Sequence, residues 1–217
     1  MSQAEENYLK AIYTLQTEFG KSLSTNIIAA KIDTKASSVT DMLKKLSLKK
    51  LVIYKKYQGA HLTKKGNDLA IKVIRKHRLW ETFLVNKLDF NWNEVHDIAE
   101  QLEHIKSDVL MAKLDAFLGH PKQDPHGTPI PNREGVFPEI ENDYLSNIPT
   151  DTLCILVGVK NSSDVFLNYL NSKNIAINST IKVLNIEPFD KSMRIEINTK
   201  ELLITGEVAK NLQVIKQ

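Results

Sequence analysis

The stretch "STNIIAAKIDTKASSVTDMLKKLSLKKLVIYKKYQGAHLT", residues 24–63, decides the reading of the N-terminal part of the chain. Ser24 can cap a short helix, "TNIIAAKI", that turns Ile27, Ile28 and Ile32 inward. A longer helix follows in "KASSVTDMLKKLSLKKLV", with Ser37 or Ser38 as its cap and Val39, Leu43, Leu46 and Leu51 on its apolar side. The next segment, "VIYKKYQGAHLT", alternates like a hairpin with its turn at Gln58-Gly59. Upstream, "QAEENYLKAIYTLQT" (3–17) places Tyr8, Leu9, Ile12, Tyr13 and Leu15 on one helical stripe. Helix, short helix, longer helix, hairpin is the pattern of a winged helix-turn-helix.

Beyond it, two further helices are predicted at about 64–88 and 92–118. The segment "GHPKQDPHGTPIPNREGVFP" (119–138) holds five prolines and three glycines and reads as a linker. Short strand-like runs then follow, "TLCILVGV", "TIKVLNI", "MRIEIN" and "ELLIT", with one helix, "SDVFLNYLNS", among them. The expected architecture is mainly α with a small β domain. It comprises a winged helix at 1–63, a helical segment at 64–138 whose Pro-rich linker starts at 119, and a small β-barrel at 149–217.

Composition is that of an ordinary soluble protein, with 42% hydrophobic and 25% charged residues. No apolar run is long enough for a membrane span, and the N-terminus lacks the basic start and apolar core of a signal peptide. A single cysteine, Cys154, excludes an internal disulfide, so a cytoplasmic protein is expected. The net charge of +3 says little, but its distribution is informative. Residues 35–65 hold nine lysines and one acid, Asp41. Lys35, Ser37, Ser38, Thr40, Asp41, Lys44 and Lys45 occupy the start and outer side of the longer helix, and Lys55 and Lys56 the wing. A lysine-rich face is ordinarily just a solvated one. Here it coincides with the helix that would enter a DNA major groove, where hydroxyls reach bases or phosphates and lysines neutralise the backbone.

The segment "VHDIAEQLEH" (95–104) poses a different problem. As a helix it sets His96, Glu100, Glu103 and His104 at i, i+4, i+7 and i+8, among packing residues such as Val95, Ile98 and Leu102. On the preceding helix, "RKHRLWE" brings His77 and Glu81 to one face, and in the linker His126 follows Asp124. One such histidine alone would usually be a hydrogen-bonded core residue. Several carboxylates and imidazoles together carry a heavy desolvation cost that a divalent cation removes. Oxygen and imidazole donors without thiolate suit manganese, iron(II), cobalt or zinc.

The order of these pieces, through "RKHRLWE", "VHDIAEQLEHIKSD" and "DPHGTPIP" to a small barrel, resembles the diphtheria toxin repressor family. Within it, the chain resembles the three-domain manganese transport regulators. The resemblance covers nearly the whole chain and is strongest over 72–131. It implies a homodimer that binds a palindromic operator on double-stranded DNA when loaded with metal, with the dimer interface on the helices of 64–118 and an SH3-like C-terminal barrel (iron-transport-protein-A-like). It implies a primary site of Asn7, Glu100, Glu103 and His104, where Asn7 stands in place of the family's aspartate. It also implies a second site of His77, Glu81, Asp124, His126 and Asp164, with His96 as a further candidate. Glu100, standing where the iron-responsive branch has cysteine, favours manganese, with iron(II) as the alternative and zinc, cobalt or cadmium able to bind in vitro.

The expected function is therefore a metal-dependent transcriptional repressor of metal-homeostasis genes, with neither a membrane nor a small-molecule substrate as partner. The alternative is a winged-helix transcription factor with a purely structural metal or an organic effector. An enzyme of the di-iron carboxylate kind needs paired Glu-x-x-His motifs. Gln101 stands three residues before His104 and Asn93 three before His96, so the chain is not expected to be an enzyme.

Overall fold

The computed structural model describes residues 1–20, 22–56 and 58–217. The chain divides into two compact units. One comprises Met1–His77, Glu100–Ser107 and Pro131–Val136; the other comprises Arg78–Ala99, Asp108–Ile130 and Phe137–Gln217.

In the first unit, α1 (Gln3–Phe19) starts at a capping box. The Ser2 hydroxyl accepts from Glu5 N–H, and the Glu5 carboxylate accepts from Ser2 N–H, so two otherwise orphaned donors are satisfied. α2 (Thr25–Lys31) is capped by the Ser24 hydroxyl, which accepts from Ile27 N–H, as its sequence predicts. α3 (Ala36–Leu48) begins two residues earlier than a cap at Ser37 would set it. Lys35 takes the cap position with no side-chain bond, which leaves both serine hydroxyls inside the first turn and exposed.

The hairpin pairs β1 (Val52–Lys55) with β2 (Gly59–Leu62), Val52 opposite Leu62. Gly59, at φ +94, approaches Leu23 so closely that a Cβ would lie 2.8 Å from its carbonyl oxygen. Leu23 and Ala60 exchange backbone hydrogen bonds there, adding a bridge to the wing. Leu9, Ile12, Leu23, Ile28, Val39, Leu43 and Leu46 are fully buried in one core. Each such side chain contributes about 1.5–3 kcal/mol by burial.

α4 (Lys64–Leu88) matches the predicted helix and passes through both units. The single helix expected at 92–118 is instead two, α5 (His96–Leu102) and α6 (Asp108–Phe117). After Leu102 the backbone tightens, Ile105 N–H reaching back to Leu102 C=O, and Glu103 and His104 occupy a turn rather than a helical face. The hydrophobic period runs through this break, so periodicity alone did not show it.

The second unit carries a six-stranded antiparallel sheet in the order β3-β8-β4-β5-β6-β7. Its strands are β3 (Asp143–Tyr144), β4 (Leu153–Val159), β5 (Thr180–Ile186), β6 (Met193–Ile197), β7 (Lys200–Ile204) and β8 (Leu212–Lys216). α7 (Asp164–Ser172) and the short α8 (Gly206–Ala209) accompany it. Leu156, Ile181, Val183, Ile195, Leu212 and Val214 meet Leu167 and Leu170 of α7 in a second core. The fold is thus mainly α with a small β domain, as expected. β3, α8 and β8 are additions to the sequence reading.

The Pro-rich segment at 119–138 is irregular but not loose. Asp124, His126 and Gly127 are buried, and His126 C=O accepts from Val159 N–H of β4. Gly127, at φ +82, lies against the bulge of β4, where a Cβ would sit 2.2 Å from Val157 O. No helix among the described residues is long and apolar enough to cross a membrane.

Candidate metal centre

In the first unit, α1 and the turn after α5 bring four predicted or neighbouring groups together. Glu103 is fully buried, and its Oε1 has no hydrogen-bond partner among the described residues. Asn7 Oδ1 is likewise buried and without a partner. His104 Nε2 lies 3.9 Å from the same Glu103 Oε1. Buried polar atoms are almost always satisfied, so two unsatisfied oxygens among the predicted ligands call for an explanation. Both can only accept, and a cation fits them.

His104 is held for such a role. Its Nδ1 lies 2.6 Å from Glu6 Oε2, and Glu6 is 5% exposed. With the Nδ1 proton donated to that carboxylate, the Nε2 lone pair is left toward Glu103. Glu6, adjacent to Asn7 on α1, is not among the expected ligands. It reaches His104 because His104 sits in the turn beyond α5 rather than on its face.

Glu103 has a second side. Its Oε2 lies 2.6 Å from His77 Nδ1 and accepts from Lys10 Nζ at 2.7 Å. Lys10 also contacts Glu100 Oε1. Sequence reading missed Lys10, although its i+3 spacing from Asn7 places both on one face of α1. Glu5, beside this group, turns toward α3: its carboxylate accepts from Lys49 Nζ at 2.7 Å and pairs with Lys45 at 3.1 Å. The hydrogen bond from Lys49 holds the Glu5 carboxyl at about 2, against the opposing effect of burial.

In the second unit, Glu81, Asp124 and His126, all buried, each bring a ligand atom within 4.8 Å of one another. Trp92 C=O accepts from His126 Nε2–H at 2.8 Å, which frees Nδ1 to face Glu81 Oε2 at 3.7 Å and Asp124 Oδ1 at 3.9 Å. Asp124 Oδ1 is fixed by the backbone N–H groups of His126 and Thr128. Burial, then the Glu81 carboxylate, pushes the Asp124 carboxyl above its ordinary range. Burial pulls His126 down, but the nearby Glu81 carboxylate and the charge of Asp124 outweigh this and raise it. Crowded carboxylates beside an imidazole are a cation-binding arrangement. His96 stands at the rim, exposed, its Nδ1 3.6 Å from Glu81 Oε1. Asp164 lies exposed in the first turn of α7, outside this group.

On α3 and its N-cap, Lys35, Ser37, Ser38, Asp41, Lys44 and Lys45 are exposed, as are Lys55 and Lys56 on the wing. Thr40 is half-buried, and its hydroxyl donates to Ala36 C=O.

A winged helix, a helical segment with two carboxylate–imidazole groups and a small β domain together define a metal-responsive DNA-binding regulator. Comparison with known proteins agrees. Residues 1–60 match the iron dependent repressor, N-terminal DNA binding domain; residues 63–132 match the iron dependent repressor, metal binding and dimerisation domain; residues 144–216 match the FeoA domain. A solved manganese-dependent transcriptional repressor in complex with manganese is 33% identical over 98% of this chain and all of its own, with a TM-score of 0.83. The manganese regulator SloR is 36% identical over the full length of both chains, with a TM-score of 0.76. The iron-dependent repressor IdeR of Mycobacterium tuberculosis is 36% identical over 136 residues, 62% of this chain and 59% of that protein. The chain belongs to the diphtheria toxin repressor family of iron-dependent repressors.

Proposed function

We propose that the protein is a cytoplasmic, metal-dependent transcriptional repressor that binds a palindromic operator as a homodimer and controls metal-homeostasis genes. Manganese is the expected metal, and iron(II) the alternative. The carrying observation is the pair of buried, unpartnered oxygens, Asn7 Oδ1 on α1 and Glu103 Oε1 after α5. A divalent cation supplies there the positive charge that these acceptors lack.

The chain's own residues give that charge a consequence. Asn7 belongs to α1, whereas Glu103 and His104 belong to the turn after α5, so a shared ligand set ties two elements far apart in sequence. Glu5, two residues from Asn7, ties α1 to the end of α3 through Lys49 and Lys45. Fixing α1 therefore fixes the helix whose early face carries Ser37, Ser38 and Lys44. In a dimer the two reading helices must match half-sites set by the DNA repeat, and small errors in spacing lose one of them. Metal acts through its differential affinity for the DNA-competent state. Val109, Leu110 and Phe117 of α6 are exposed apolar side chains, which supports a dimer contact on that helix. The second group, Glu81, Asp124 and His126, with Asp164 and His96 as further candidates, would anchor the 119–138 segment.

Electrophoretic shift of an operator duplex, with manganese and with chelator, tests this. Tight binding in manganese alone is expected; equal affinity in both rules out a corepressor role.

A further inference from the structure

Lys10 stands where a metal ligand set would place an ion. His77, Glu100 and Glu103 each offer a ligand atom within 4.8 Å of the others, a convergence sufficient to hold a cation. The ammonium of Lys10 contacts all three of these groups. It donates to Glu103 Oε2 at 2.7 Å, lies 3.2 Å from His77 Nδ1 and touches Glu100 Oε1. Its side chain is 17% exposed and the Glu103 side chain 0%, so the contact is largely withdrawn from water. Glu103 is thus two-sided: Oε2 faces Lys10 and His77, while Oε1 faces His104 Nε2 and has no hydrogen bond.

We infer that this centre contains two adjacent cation positions sharing Glu103, and that Lys10 permanently fills one of them. The inference rests on the metal-site reading above and deepens it. The ammonium is a compact point charge on a four-carbon stem, tethered to α1 and therefore always at high local concentration. It neutralises Glu100 and Glu103 on one side and repels a second divalent ion there. The centre then takes a single metal, on the side of Asn7, Glu103 Oε1 and His104. Lys10 becomes the residue that sets how many ions bind and how acidic the free site is.

The test uses the full-length chain, manganese alone as probe, and two readouts: ions bound per chain and the electron paramagnetic resonance spectrum. In the wild type, manganese shows isolated-ion spectra, and His104→Ala lowers the count by one ion, marking this centre. Lys10→Glu, which replaces the cation with a ligand, gains one ion per chain and shows an exchange-coupled manganese pair. Lys10→Gln, which replaces the ammonium with a neutral amide whose oxygen can ligate, gains the same ion more weakly and serves should Lys10→Glu fail to fold. A coupled pair already present in the wild type overturns the inference. So does an unchanged count with isolated-ion spectra in the folded Lys10 variants. A count unaffected by His104→Ala instead overturns the metal-site reading itself, and the inference falls with it.

Discussion

Glu6 decides which nitrogen of His104 is available to a cation. Its carboxylate lies 2.6 Å from Nδ1, in a site where both side chains are buried. Glu6→Gln leaves the ligands in place but loosens the ring, and manganese affinity measured by isothermal titration should fall about 10–100-fold. Trp92 C=O performs the same service for His126. The ligand types were legible in the sequence because helical spacing puts Glu100, Glu103 and His104, and on the preceding helix His77 and Glu81, within a turn or two of one another. Their supporting groups were not. Whether Glu6 or Lys10 reaches across to another segment depends on side-chain length and on where α5 ends, and neither is a periodic property. Cys154 gives a check at the same scale. It is fully buried in the β core, and burial pushes its thiol up to about 11, so at neutral pH it stays protonated. Native protein should resist a thiol reagent, and one thiol should react once denaturant is added. Rapid labelling of the native chain would contradict the packing described.

At the scale of elements, α1 is the lever. It carries Asn7 and Lys10 toward the metal centre and Glu5 toward α3. Glu5→Gln removes the charge that holds Lys49 and Lys45 without touching a ligand. Manganese affinity should be unchanged, while the gain in operator affinity on adding manganese shrinks about fivefold or more, measured by fluorescence anisotropy. An undiminished gain would remove Glu5 from the coupling path. The helices α1, α2, α3 and α4 were readable because each keeps one apolar stripe and a polar face. The break between α5 and α6 was hidden, since Ile98, Leu102 and Ile105 keep helical spacing across it. β3 and α8 were too short, at two and four residues, to carry a period at all. β8 does alternate, Leu212 and Val214 being buried, and its signal was available but weak against so short a run.

For the whole molecule, the order of parts carried more information than any one part. A winged helix alone defines no effector, and one carboxylate–imidazole pair defines no metal. Their succession along one chain placed it in a family, which the matches over 1–60, 63–132 and 144–216 bear out. What the sequence could not convey is how tightly the 119–138 segment is bound down, because prolines and glycines signal irregular backbone and say nothing of burial. The proposed regulation requires a cation to be the partner that Asn7 Oδ1 and Glu103 Oε1 lack. Crystals soaked in manganese and measured at the manganese absorption edge address this directly. An anomalous peak bounded by Asn7, Glu103 and His104 is the predicted result; water or the Lys10 ammonium in that position, with no peak, would contradict it.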